Sequence, residues 1–113
     1  MAEPNRPFEG KTAIVTGSSR RVGRAIAERL AADGAAVVIN ARSSRAEAEE
    51  ALKSIEDAGG RAIIHMADVT QPNDVAGMVA AAVSAFGGLD IMVHNFVRRR
   101  HGSLEDLFLY DWH

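Results

Sequence analysis

Four short apolar runs, separated by three stretches with helical periodicity, constrain the fold of this chain more than any other feature of its sequence. The runs are residues 12–16 (TAIVT), Ala36–Ile39, Ala62–Ile64 and residues 90–94 (DIMVH). The strand predicted from the third run is expected to end near Asp68. Each run is short, and the first is rich in β-branched residues and followed by a glycine turn, which is typical of a buried strand. Because the runs are continuously apolar rather than alternating, they predict a parallel sheet that is covered on both faces.

The three intervening stretches predict amphipathic helices. Their apolar residues recur at helical spacings, and glycine follows each of them. The bounds are Val22 to Gly34 for the first helix, a capping box at Ser44 and Glu47 to Gly59-Gly60 for the second, and Pro72 to Gly87-Gly88 for the third. The order β-α-β-α-β-α-β predicts a doubly wound α/β sheet of the Rossmann type in a single domain spanning residues 1–113. Its ligand crevice is expected at the carboxyl ends of the strands.

Composition narrows the function. The formal net charge of −2 argues against a nucleic-acid-binding protein, and the absence of cysteine excludes disulfides and thiol nucleophiles. The apolar runs are too short to span a membrane, and the N-terminus, MAEPNRPFEGK, lacks the apolar core of a signal peptide. The four histidines do not have metal-ligand spacing. We therefore expect a cytoplasmic protein with no metal site, no nucleic-acid partner and no membrane partner.

The segment T-G-S-S-R-R-V-G, residues 16–23, joins the first predicted strand to the first helix. The N–H groups and the dipole at a helix N-terminus stabilise phosphate. Gly17 allows a tight turn, Gly23 allows close contact between helix and sheet, and Ser18 and Ser19 are predicted to offer hydroxyls to phosphate oxygens. The alternative is that the two glycines serve only a turn and a packing contact.

The end of the second predicted strand indicates which nucleotide this loop would bind. Dinucleotide-binding folds specific for NAD place an acidic residue there, on the ribose 2′-hydroxyl. The segment N-A-R-S-S, residues 40–44, contains no acid. Arg42 and Arg20 are positioned to pair with a 2′-phosphate, and Asn40 and Ser43 to add hydrogen bonds. We therefore predict NADP(H); the alternative is that Arg42 is an ordinary loop arginine.

At these motifs the chain resembles the short-chain dehydrogenase/reductase family, whose first loop reads Thr-Gly-x-x-x-Gly-x-Gly. Residues 16–23 match this pattern except at Arg21, Ala67-Asp68-Val69-Thr70 is similar to the segment after the third strand, and residues 88–93 are similar to the approach to the fourth. The resemblance implies that loop residues 17–23, Val22 included, bind the cofactor. It also implies that Asp68 with Val69 borders the adenine, that Asn95 lies beside the cofactor, and that Ala41 replaces the aspartate of NAD enzymes.

Two segments depart from the family pattern. Phe96 and Val97 stand where the family has Ala-Gly, and Arg21 replaces a glycine, as it does in the pteridine reductase branch. An arginine at a helix N-terminus is unfavourable unless an anion arrives, so Arg21 is predicted to contact the pyrophosphate. Its side chain can equally reach toward the substrate, or lie solvated along the helix.

The family's catalytic Tyr-x-x-x-Lys pair is absent from these residues. Tyr110 is the one tyrosine and has no lysine four positions later, so we nominate no catalytic residue. A single third helix cannot cover four strands, and the fourth strand would form an open edge. We therefore expect an incomplete domain, the N-terminal part of a reductase of small carbonyl or enoyl substrates that forms a homo-oligomer. The alternatives are a pteridine reductase-like enzyme and a nucleotide-binding module without chemistry.

Two features near the end of the chain stay open. His94 follows the fourth predicted strand, where it is either a crevice residue or a structural polar group. Residues 98–100 are three consecutive arginines. They form either a solvated loop or a surface that receives an acidic carrier protein or a phosphorylated substrate.

Overall fold

The computed structural model describes residues 6–19 and 21–95, within which strands and helices alternate without exception. The elements are β1 (Thr12–Val15), α1 (Arg21–Ala32), β2 (Ala36–Ala41), α2 (Arg45–Asp57), β3 (Arg61–Met66), α3 (Pro72–Phe86) and β4 (Ile91–Val93). The predicted order is confirmed. The first and fourth strands are shorter than predicted, because Thr16 lies in the turn after β1 while Asp90 and His94 flank β4.

The strands form one parallel sheet in the order β3-β2-β1-β4. The crossover from β3 to β4 carries the chain to the other side of β1. The strand order therefore reverses at β1, with β2 and β3 on one side of it and β4 on the other. This confirms the doubly wound α/β class. It also places the turns after β1, β2, β3 and β4 at one edge of the sheet, where such folds bind ligands.

Helices α1 and α2 cover one face of the sheet. Ala13 and Val15 of β1 are fully buried there, against Ala27 of α1 and Ala51 of α2 in the same apolar cluster. Alanine dominates the contact surface of both helices, so their backbones approach the sheet closely. The residue between the two on β1, Ile14, points to the opposite face because side chains alternate along a strand.

Helix α3 covers that opposite face only in part. Ile14 and Val38 pack there against Met78 and Ala82 of α3 and are fully buried. Met92 of β4 lies beside Ile14 in register, yet 39% of its surface is exposed. Within the described residues β4 is therefore an edge strand with an exposed apolar face, as the packing argument from the sequence predicted.

The helix ends show one departure from prediction. Pro72 opens α3 and Gly87 closes it in a left-handed conformation, as expected. Ser44 is the N-cap of α2, but its side chain makes no cap hydrogen bond to the backbone, and its hydroxyl donates to the carboxylate of Glu47 instead. The spacing of the capping box is present, but the Ser44 hydroxyl bonds to the Glu47 side chain instead of the backbone.

Candidate functional site

The turn between β1 and α1 depends on two glycines. Gly17 has φ of +58°, a conformation that glycine adopts without steric cost. The backbone of Gly23 in α1 lies so close to that of Gly17 that a Cβ on Gly23 would overlap the Gly17 carbonyl oxygen and lie 2.5 Å from Nδ2 of Asn95. The helix N-terminus is thus held directly against the turn, and neither glycine can be replaced without moving the loop.

Ser18 and Asn40 fix the loop from beneath. The Ser18 hydroxyl is fully buried; it donates to the Val15 carbonyl at 2.6 Å and accepts the backbone N–H of Asn40 at 2.8 Å. Since its only hydrogen is used, this hydroxyl has none to donate to a phosphate oxygen. In this structure the hydroxyl is engaged within the loop, and contact of Ser18 with a phosphate stays a prediction. Ser18 positions the loop.

Asn40 has the same kind of role. Its side chain is 2% exposed, and its Oδ1 accepts the N–H of Gly17 at 2.9 Å. Both hydrogens of its amide are donated, to the carbonyl of His65 at 3.2 Å and to that of Ala67 at 3.3 Å. In this structure both amide hydrogens are engaged within the protein, and contact of Asn40 with a 2′-phosphate stays a prediction. Asn40 instead ties the loop after β1 to the end of β3 across the end of β2.

The end of β4 completes the loop through Thr16 and Asn95. The backbone N–H of Asn95 donates to the Thr16 hydroxyl at 2.8 Å, and its side-chain amide donates to the Gly17 carbonyl at 3.2 Å. The structure thus brings Asn95 to the loop, as its predicted place beside the cofactor requires. Sequence reasoning missed Thr16, although its position as the first residue of the loop motif was a usable signal.

Arg21, the residue that replaces the expected glycine, begins α1 with φ of +57°. It is the one non-glycine residue with a positive φ in the described part of the chain. Left-handed backbone is unfavourable for a residue with a Cβ and is often found at functional sites. The conformation explains why a glycine is expected at this position, and the arginine side chain is exposed there.

The other loop residues differ in exposure. Val22 is 63% exposed at the start of α1, whereas Ser19 is buried. Arg20 lies outside the described residues. Val22 is therefore available for an apolar contact at the N-terminus of α1.

Arg42 and Asp68 face each other across the ends of β2 and β3. Arg42 is 77% exposed, and its Nη2 lies 3.5 Å from Oδ2 of Asp68. The other carboxylate oxygen, Oδ1, accepts both the N–H of Thr70 at 2.9 Å and its hydroxyl at 2.6 Å. These hydrogen bonds from Thr70, with a smaller contribution from the charge of Arg42, lower the pKa of Asp68. The carboxylate is therefore ionised at neutral pH.

Two neighbours complete this end of the sheet. Ser43 is exposed beside Arg42, and Val69 is half-buried against the apolar cluster under α3. The backbone N–H of Asp68 donates to Oδ2 of Asp74 in the first turn of α3, at 2.9 Å. The anchors Thr70 and Asp74 were missed from the sequence, although an Asp-x-Thr segment is a recognisable local turn signal.

The remaining candidates fall outside this constellation or outside the described residues. His94 is exposed after β4, and residues 98–100 and Tyr110 are not described. Among residues 6–19 and 21–95, no three potential ligands of the His, Cys, Asp or Glu type lie together in a way that could hold a metal ion. Nor does any helix in this part of the chain have the length and apolar character needed to cross a membrane.

The residues present fit a phosphorylated dinucleotide. A helix N-terminus stands above a glycine turn, and an exposed guanidinium follows β2. No acid is present at the end of β2, where one would repel a 2′-phosphate. The arrangement can bind pyrophosphate at the helix and a further phosphate at Arg42.

Comparison with known proteins identifies the family of this chain. The sequence matches the short chain dehydrogenase family over residues 11–113. It is 53% identical over 88 residues to an uncharacterized oxidoreductase of Methylorubrum extorquens, covering 78% of this chain and 36% of that protein. It is 41% identical over 97 residues to the short-chain dehydrogenase/reductase homolog YusS of Bacillus subtilis, covering 86% of this chain and 89% of that protein.

The structure is similar to a crystal structure of a short chain dehydrogenase from Burkholderia cenocepacia in complex with NADP. The TM-score is 0.80 with 50% sequence identity, and the match covers 95% of this chain and 43% of that enzyme. The chain thus spans less than half the length of this enzyme and of the Methylorubrum oxidoreductase, and most of the length of YusS.

Proposed function

Because this chain belongs to the short chain dehydrogenase family, we propose that it forms the cofactor-binding part of an NADP(H)-dependent oxidoreductase. The reaction would be hydride transfer to or from a carbonyl or alcohol group, of the 3-oxoacyl or enoyl reductase type. The cofactor, when bound, would donate the hydride in reduction and accept it in oxidation. The residues of this chain bind and orient the cofactor.

One observation carries the choice of NADP(H) over NAD(H). β2 ends in Asn40-Ala41 without an acid, and the guanidinium of Arg42 follows at once and is largely exposed. A guanidinium matches the geometry of a phosphate and pairs with it through more than one N–H group. The Burkholderia structure, to which this chain is similar, contains NADP, and this supports the same choice of cofactor for the present chain.

The other site residues have separate tasks in this proposal. The N-terminus of α1 receives the pyrophosphate, with Arg21 and Arg20 as further cations. Val22 provides an apolar surface, and Asp68 with Val69 borders the adenine. Ser18, Asn40 and Asn95 hold the loop in shape, so they act on the cofactor by positioning the backbone around it.

Proton transfer to or from the substrate requires groups that we do not assign within these 113 residues. We propose that they lie in the part of the longer relatives that this chain does not span, and that the whole enzyme is a cytoplasmic homo-oligomer. A pteridine substrate, suggested by Arg21, remains a prediction within the same class.

A second candidate is a nucleotide-binding module without chemistry. The observation that favours it is the match to YusS, which is covered over 89% of its length by a chain of 113 residues. The two candidates agree on the cofactor and differ in turnover. The discriminating sample is the whole protein as its natural source makes it. If that protein binds NADPH but oxidises it with none of a broad panel of carbonyl and enoyl substrates, the module is favoured.

The cofactor assignment is tested by titrating the protein with NADPH and NADH and following nucleotide fluorescence. We expect tighter binding of NADPH. Arg42→Gln removes a hydrogen bond to a charged group, worth about 1.5–3 kcal/mol, so NADPH affinity should fall about 10- to 100-fold while NADH affinity changes little.

The matched control is Arg29→Gln, which removes the same charge at the far end of α1, where Arg29 pairs only with Asp33 among the described residues. It should leave both affinities unchanged. Equal binding of NADPH and NADH by the wild-type protein, or an unchanged preference in Arg42→Gln, would contradict the assignment.

A further inference from the structure

We infer that Asp68 is a specificity-determining residue that competes with the 2′-phosphate of the cofactor for Arg42 and thereby limits the preference for NADP(H). The inference rests on the proposed function. It differs from the contact with adenine that the family resemblance implies for Asp68, because it acts through Arg42.

The first support is the position of the ion pair. Asn40 and Ala41 of β2 lie in register with His65 and Met66 of β3, so the two strands end side by side. The Arg42–Asp68 contact of 3.5 Å therefore joins the residues that follow the carboxyl ends of two adjacent strands, at the ligand edge of the sheet. A guanidinium held by this carboxylate is turned along the sheet edge, toward β3.

The second support is that the carboxylate is fixed and charged. Thr70 holds Oδ1 with two hydrogen bonds, and the N–H of Asp68 is itself held by Asp74. Only Oδ2 faces Arg42. Asp68 is thus the immobile partner of the pair and Arg42, on its long exposed side chain, is the mobile one.

The Arg42–Asp68 pair weakens the binding of NADPH relative to that of NADH. NADH has no 2′-phosphate and can bind with the pair intact, whereas full pairing of NADPH with Arg42 draws the guanidinium away from Asp68. The fixed carboxylate also repels a phosphate placed beside Arg42. Both effects weaken NADPH binding relative to NADH. The ion pair also orders the Arg42 side chain, and this effect opposes the other two. It is small because the contact is longer than a charge-assisted hydrogen bond and the Arg42 side chain is 77% exposed.

The test is the ratio of the NADH to the NADPH dissociation constant in wild-type protein and in Asp68→Asn. Asparagine keeps the shape and the Oδ1 acceptor for Thr70 but removes the charge. Exposed ion pairs are typically worth 0.2–1 kcal/mol, so the ratio should rise roughly 1.5- to 5-fold. Any loss of adenine binding affects both nucleotides and cancels in the ratio.

Two further variants make the result specific. Asp33→Asn removes the same charge from a carboxylate that pairs with Arg29 at the far end of α1, so the ratio should stay at the wild-type value. In an Arg42→Gln background, Asp68→Asn should change the ratio less than it does in the wild type. A ratio that is unchanged or lower in Asp68→Asn would overturn the inference, as would an effect of full size in the Arg42→Gln background.

These outcomes are separable from failure of the proposed function. Wild-type protein that binds neither nucleotide refutes both. Wild-type protein that binds NADPH with a ratio insensitive to Asp68→Asn refutes only the role of Asp68.

Discussion

Replacing Arg21 by glycine should stabilise the protein and weaken its binding of NADPH. Arg21 has φ of +57°, and left-handed backbone costs a residue with a Cβ about 1–2 kcal/mol. Glycine removes that cost but gives the unfolded chain more freedom, which offsets about 0.4–1 kcal/mol. The net expectation is a gain of about 0.5–1 kcal/mol in the free energy of unfolding, or roughly 2–6 °C in Tm.

Arg21→Ala separates the backbone from the side chain. Alanine keeps the Cβ and hence the strain, so its stability should stay within about 0.5 kcal/mol of the wild type. Both variants lack the guanidinium, and both should bind NADPH about 10-fold more weakly if it contacts the pyrophosphate.

Urea unfolding followed by circular dichroism measures the stability of the three proteins, and fluorescence titration measures their affinity. Equal stability gains in Arg21→Ala and Arg21→Gly would show that the φ angle is not the source of the strain. No gain in Arg21→Gly would refute the strain argument altogether. Unchanged affinity in both variants would remove Arg21 from the cofactor site and leave the solvated alternative.

Three other predictions concern the support of the loop and one ion pair. Gly23→Ala should cost about 1–3 kcal/mol or more and abolish NADPH binding in titrations, because its Cβ would overlap the Gly17 carbonyl. Asn40→Leu, similar in size but without polar atoms, should lower unfolding stability by about 1–3 kcal/mol and weaken NADPH and NADH equally; selective loss of NADPH would contradict its positioning role. A hydrogen bond from Arg24 lowers the pKa of Glu28 below 4.5, so its stabilising effect is complete above that pH and is lost as pH falls through the lowered value. The stability difference between the wild type and Glu28→Gln, about 1 kcal/mol or less at this half-buried surface pair, should therefore vanish in acid unfolding curves.

The element order and the fold class were predictable from the sequence because they depend on local periodicity and glycine stops. The same local logic placed the loop, the exposed Arg42 and the strand-end Asp68 at one edge of the sheet. It also identified Arg21 as an exception, since it occupies a position where a glycine was expected. The positive φ then gave that exception a physical meaning.

The roles of Ser18 and Asn40 were not predictable in the same way. Both are polar residues beside a phosphate loop, and pattern alone favours ligand contact. Their hydrogen bonds join residues 22 positions apart and bury both side chains, which only the folded sheet determines. The pairing of Ser44 with Glu47 differs from the predicted capping box because the same spacing also brings the two side chains within reach of each other.

The closure of the loop by Asn95 has a consequence for the order of folding. The bond from the Asn95 N–H to Thr16 joins residues 79 positions apart, and β1 has its second neighbour only when β4 arrives. Contacts of such long sequence separation form late and slowly. During synthesis, β1, β2 and β3 can pair while the loop still lacks its last support, so nucleotide binding is expected to appear after most of the sheet has formed. Stopped-flow refolding in the presence of NADPH would then show the fluorescence change lagging behind the recovery of secondary structure.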